Sequence, residues 1–132
     1  MALVHVILAA ALIEFFFLAL AVARARVTYK VPAPATTGHE VFERYFRVQM
    51  NTLEQLVIFV PGLLLFALYV SPWVAAALGA LFIVGRAVYF RGYVRAAEGR
   101  HAGFMLSVVP NMVLLVGGGL GALWRVVTHF SA

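Results

Sequence analysis

The chain has 132 residues, of which 64% are hydrophobic and 11% charged, and it contains neither cysteine nor aspartate. Its apolar stretches are long enough to cross about 30 Å of hydrocarbon at about 1.5 Å per residue, which argues against a soluble domain and for an integral membrane protein. The formal charge of +5 sits mostly beside these stretches, so it reports topology rather than a nucleic-acid footprint, and any reacting thiol must belong to a ligand.

The first predicted span runs from about Ala2 to Val27. It lacks a basic leader and an A-x-A cleavage pattern, so it is read as retained rather than as a signal peptide. The connection V-P-A-P-A-T-T-G follows, whose prolines favour extended chain and whose Thr36 or Thr37 is placed to cap the next helix.

The second span, about His39 to Val70, opens on a run that is costly in lipid: E-R-Y-F-R-V-Q-M-N-T-L-E from Glu43 to Glu54. At about 100° per residue, Glu40, Arg44, Arg47, Asn51 and Glu54 share one helical face. A polar stripe in a membrane helix is by default a functional site. Gln49 points roughly away from Arg44 and lies off this stripe.

A tight, uncharged hairpin at Val70-Ser71-Pro72 leads into the third span, about Pro72 to Ala97. Here Arg86, Tyr89 and Tyr93 fall at i, i+3 and i+7, one face again, with Arg100 at the following turn. Counting back from the hairpin at about 1.5 Å per residue sets Glu54 level with Tyr89 and Asn51 near Tyr93. The two stripes therefore face each other. Gly99 and Gly103 are expected to break the helix before the fourth span, about Gly103 to Phe130. In that span Pro110 is expected to kink the helix, and the glycines from Gly117 to Gly121 to permit close helix approach.

The expected fold is thus all-α: a bundle of four transmembrane helices running up-down-up-down, one domain over residues 1–132. Arg24, Arg26, Lys30, Arg44 and Arg47 surround the first connection, and Arg91, Arg95 and Arg100 the third, so both face the cytoplasm and both termini lie outside. Alanine-rich composition with Arg favoured over Lys points to a bacterial inner membrane. His5, His39, His101 and His129 lie near helix ends without ligand spacing, so no metal is expected.

The facing stripes offer cations, a carboxylate, an amide and phenols, an inventory suited to a small zwitterionic peptide. E-R-x-x-R-x-Q-x-N-x-x-E at Glu43 to Glu54, with G-R-x-x-Y-F-x-G-Y at Gly85 to Tyr93 and then Arg100, resembles the MAPEG family, the membrane-associated proteins in eicosanoid and glutathione metabolism. The resemblance implies a homotrimer that binds glutathione, as co-substrate, between subunits near the cytoplasmic surface. It implies that Arg47, Asn51, Glu54, Tyr89, Tyr93 and Arg100 come from one subunit and Arg26 and Gln49 from the next. It gives Arg100 the role of stabilising the glutathione thiolate, with Tyr93 as the second catalytic residue. Val27, Gln55 and Met112 depart from the leukotriene-synthase branch, so the chain is nearest the microsomal glutathione transferases. The implied activity is a transferase, a peroxidase, or both, on a hydrophobic or lipid-like electrophile.

Plainer readings stand beside these. Arg24, Arg26, Lys30, Arg91 and Arg95 read individually as topology charges, and Arg26 joins the site on resemblance alone. Arg86 either pairs with Glu54 or contacts ligand. Tyr89 and Tyr93 also suit interfacial anchors. Glu14, alone in the first span, is protonated or hydrogen-bonded at the bundle or trimer axis. It is also the feature expected of a small proton-coupled multidrug transporter, one alternative to the glutathione reading; a non-catalytic lipid-binding relative is the other.

Overall fold

The first helix, α1 (Ala2–Thr28), is apolar on nearly every side, yet only Val4, Ala11, Leu18, Val22 and Ala25 are buried in it. Large side chains such as Phe16 and Phe17 stay exposed, the pattern of a helix whose surroundings are hydrocarbon rather than water. The computed structural model describes residues 1–130. After α1 come α2 (Glu40–Tyr69), α3 (Pro72–Arg95), a short 3-10 turn at Ala97–Arg100, and α4 (His101–Phe130). These four helices are long and apolar enough to cross a membrane, and no strand occurs among the described residues.

Local chemistry sets the ends. At the end of α1, Val31 N–H donates to the Arg26 carbonyl at 3.0 Å and Lys30 N–H to that of Val27 at 3.4 Å. Lys30 takes the left-handed conformation, φ 54°, that this termination motif usually gives to glycine. The expected threonine cap on α2 is corrected: His39 Nδ1 accepts from Val41 N–H at 3.1 Å. Thr36 and Thr37 fall outside the first turn, and the His39 ring is held by stacking on Tyr29 at 4.4 Å. At α3, Ser71 Oγ accepts from Val74 N–H at 3.3 Å, and Pro72 occupies the first turn, where its missing N–H costs nothing.

The main core joins α1, α2, α3 and α4 around Val4, Phe59, Leu63, Phe82 and Leu114, with Phe59 and Phe82 stacked at 4.1 Å. Smaller clusters lie around Phe42 and around Leu18, Val48 and Tyr89. Small residues decide how closely α4 approaches its neighbours. A Cβ on Gly118 would meet Phe66 N at 2.7 Å, and one on Gly85 would meet the Leu106 carbonyl oxygen at 2.8 Å. Gly103 does not break the chain as expected. It lies inside α4 against the Tyr89 backbone, where any side chain would collide. The helix runs on through Pro110, which is buried. Gly117, Gly118 and Gly121 face α2 or its end, as expected, whereas Gly119 meets nothing within 4 Å.

Candidate functional site

Arg86, at 1% exposure, is the largest fully buried side chain among the described residues, and the polar residues Asn51 and Tyr89 of α2 and α3 lie against it. Its Nη1 donates to Asn51 Oδ1 at 2.9 Å, and its guanidinium lies 4.1 Å from the centre of the Tyr89 ring. Tyr89 is 5.5 Å from Tyr93, and the Arg100 guanidinium sits 5.9 Å from the Tyr93 ring. Asn51, Arg86, Tyr89, Tyr93 and Arg100 thus form one continuous series of contacts from the α2–α3 interior to the turn before α4. Cation and ring attract in such pairs through the ring quadrupole, by roughly 0.5 to 2 kcal/mol depending on desolvation.

The register between α2 and α3 differs from the count made along the sequence. Asn51 reaches Arg86 rather than Tyr93, and Arg44 Nε donates to the Val94 carbonyl at 3.2 Å. The count assumed equal helical rise on both arms of the hairpin. Val70 and Ser71 instead leave the helix, Ser71 in an extended conformation, and the long Arg86 side chain spans the rest. No Arg86–Glu54 ion pair forms. Among the described residues the ion pair is Arg44 Nη1 to Glu40 Oε1, 3.0 Å, on the exposed start of α2.

The predicted stripe on α2 therefore splits. Arg44 and Asn51 turn toward α3, while Arg47 and Glu54 are exposed on the surface of the single chain and Gln49 is half-buried. Arg26 does not reach the Asn51–Arg86 group: its Nη1 donates to the Ala35 carbonyl at 2.6 Å and to that of Val31 at 3.3 Å, and its guanidinium stacks on Phe42 at 4.7 Å. Both bonds use the same nitrogen, and among the described residues Nη2 and Nε make no hydrogen bond. Arg100 lines a cleft of about 560 Å³ with Glu98, His101 and Phe104. A fixed cation at such an opening favours the thiolate over the thiol of a bound ligand.

Two features escaped the sequence reading. The sequence leaves Arg86 between pairing and ligand contact, although G-R-x-x-Y places it one turn from Tyr89. Gln55 and Asn111 form a second buried polar contact, with Asn111 Nδ2 donating to the Gln55 carbonyl at 3.1 Å and to its Oε1 at 3.0 Å. Asn111, isolated in a long apolar run, and Gln55, at the end of the polar run of α2, were the available signal, since such amides seek each other in a bundle. No group of three or more metal-ligating side chains occurs among the described residues.

Residues 3–120 match the sequence profile of the MAPEG family. An uncharacterized protein of Synechocystis sp. is 51% identical over 119 residues, covering 90% of this chain and 87% of that protein. Human microsomal glutathione S-transferase 2 is 43% identical over 105 residues, 80% of this chain and 71% of the relative. Leukotriene C4 synthase of Cavia porcellus is 36% identical over 112 residues, 85% and 74% respectively. With four membrane-length helices and a family match across most of its length, this multi-pass integral membrane protein belongs to the MAPEG family.

Proposed function

We propose that the protein is a glutathione-dependent membrane transferase, with peroxidase activity drawn from the same activated thiolate. The observation that carries this reading is the contact series Asn51–Arg86–Tyr89–Tyr93–Arg100. Exposed Arg47 and Glu54 on the same helix as Asn51 supply the charges that a γ-glutamyl tripeptide needs: a guanidinium for carboxylate and a carboxylate for ammonium. With its Oδ1 committed to Arg86, Asn51 presents its Nδ2 as a donor to a ligand carbonyl. Arg100 stabilises the thiolate, and the Tyr93 hydroxyl beside it donates to the same sulfur.

In conjugation the thiolate forms a carbon–sulfur bond with a hydrophobic electrophile, which loses its leaving group or takes up a proton. In peroxide reduction the thiolate attacks the terminal oxygen of a lipid hydroperoxide, forming a sulfur–oxygen bond as the oxygen–oxygen bond breaks; the alkoxide takes up a proton and leaves as the alcohol, and the sulfur becomes a sulfenic acid. A second glutathione then gives the disulfide and water.

The working unit in this reading is a homotrimer of up-down-up-down bundles with a shared site. Its support is geometric: Arg26, whose Nη2 and Nε make no hydrogen bond among the described residues, and half-buried Gln49 stand apart from the series in one chain and reach a ligand through a neighbour. The topology has matching support, since Gly62 faces Leu115 and Gly118 faces Phe66, so α2 and α4 advance together, while Gly85 faces Leu106 and Gly103 faces Tyr89, so α3 and α4 oppose. By the positive-inside rule the site and both basic connections face the cytoplasm of a bacterial inner membrane, with both termini outside.

Purified protein in detergent, given glutathione together with an aromatic chloride or a lipid hydroperoxide, tests the proposal. Conjugate formation, peroxide consumption, or both are expected. Absence of both, with glutathione failing to bind, would return the chain to the lipid-binding or transporter readings.

A further inference from the structure

Arg86 is a cation in the interior of a membrane bundle, and among the described residues only one of its three guanidinium nitrogens finds an acceptor: Nε and Nη2 are buried and make no hydrogen bond there. An uncompensated buried cation is costly, and more so in a bilayer. Between α1 and α3, a cavity of about 200 Å³ is lined by Glu14, Phe17, Leu18, Arg86, Phe90 and Arg91, among others. Glu14 is half-buried there, and it is the one carboxylate in the lining of the cavity that Arg86 also lines. The two groups form no ion pair within contact distance, and a bridging water needs only about 10 to 15 Å³ of such space.

We infer that Glu14 is a positioning residue for the glutathione site: across this cavity it balances Arg86, which in turn holds the Asn51 amide and the Tyr89 ring in place. The inference rests on the glutathione reading of Asn51 but adds a residue on a third helix that touches no substrate. Arg86 with Glu14 opposite it stays turned into the bundle, Nη1 on Asn51 Oδ1, so Asn51 offers Nδ2 to the ligand. Without the carboxylate, the guanidinium turns toward water or lipid headgroups, and Asn51 loses its fixed orientation.

The test uses the full chain in nanodiscs, with Glu14→Ala and Glu14→Gln made in the parent and in Asn51→Ala. Glu14→Ala is expected to raise the KM for glutathione about tenfold while kcat changes by less than about twofold. Glu14→Gln, which keeps an acceptor but not the charge, is expected to restore only a small part of the loss. In the Asn51→Ala background Glu14→Ala is expected to add nothing, since the two act through one contact. An unchanged KM in Glu14→Ala, or an equal rise with Asn51 already removed, overturns the inference. A second readout does not depend on turnover: the Arg86 Nε–H NMR signal, assigned by its loss in Arg86→Lys, is expected to shift and exchange faster in Glu14→Ala. If the parent neither binds nor turns over glutathione, the proposed function falls, and an Arg86 signal indifferent to Glu14 separately removes the link between the two residues.

Discussion

Asn51 and Arg100 lie at opposite ends of one series of contacts, and their removal should separate binding from chemistry. Asn51→Ala or Glu54→Ala takes away a partner for a charged or amide group of glutathione in a partly desolvated site, weakening binding by roughly 1 to 3 kcal/mol. Arg100→Ala is expected to leave glutathione bound but to raise its thiol pKa back toward the free value of roughly 8.5, moving activity to higher pH. Thiolate absorbance titrated against pH reads both effects. If the bound thiol ionises at the same pH without Arg100, the activating cation is elsewhere, with Arg47 the next candidate. A different residue shows strain that the structure alone reveals. Lys30 carries a side chain in the left-handed region, so Lys30→Gly is expected to raise stability by about 1 kcal/mol, the relief of backbone strain outweighing the greater freedom of glycine when unfolded. A lower melting temperature in detergent would contradict this.

At the scale of elements, α4 owes its position to the absence of side chains where it crosses α3 and α2. Gly103 sits on the Tyr89 backbone and Gly118 on Phe66, so the distance between helices is a backbone-to-backbone distance, favoured in lipid where van der Waals packing replaces a hydrophobic driving force. Gly103→Leu is expected to push α4 off α3, costing roughly 1 to 3 kcal/mol, and to reduce glutathione turnover because Tyr89 moves with the interface. Gly119→Ala is the control, expected to be neutral or stabilising by up to about 1 kcal/mol, since nothing lies near it and alanine favours helix. Equal melting temperatures for both variants would show that close approach at Gly103 is not what holds the pair together. The helices themselves were legible in the sequence because length and apolarity suffice to define them. The cap on α2 was not, because histidine is not among the side chains that usually cap a helix, and its stack on Tyr29 joins residues ten apart in sequence.

For the whole molecule, the lack of native cysteine makes orientation directly measurable. Cysteines introduced at Thr37 and Glu98 are expected to be shielded from an impermeant thiol reagent in intact cells, and one at Ser71 to be labelled. Glu98 is a better reporter than the neighbouring Gly99, where a Cβ would meet the Gly92 carbonyl oxygen at 2.6 Å. The reverse labelling pattern would invert the topology. Assembly is the second measurement: a mass in detergent, corrected for bound detergent, equal to three chains is expected, with Arg26→Ala and Gln49→Ala lowering glutathione affinity although neither touches the Asn51–Arg86 group. A monomer with full turnover would remove the shared site.

The sequence by itself determined the solvent, the helices and the residue types of the candidate site, because apolar length and the spacing of polar groups on a helix are local properties. Tertiary structure decided which of those residues meet. A register altered by two non-helical residues at the hairpin, and a contact made through a long side chain, cannot be counted along the chain, so the hydrogen-bond partner of Asn51 emerged as Arg86. The same holds for Glu14, whose only local context is a run of apolar residues. Its placement across a cavity from Arg86 follows from how α1 packs on α3, a long-range outcome that no pattern within either helix encodes.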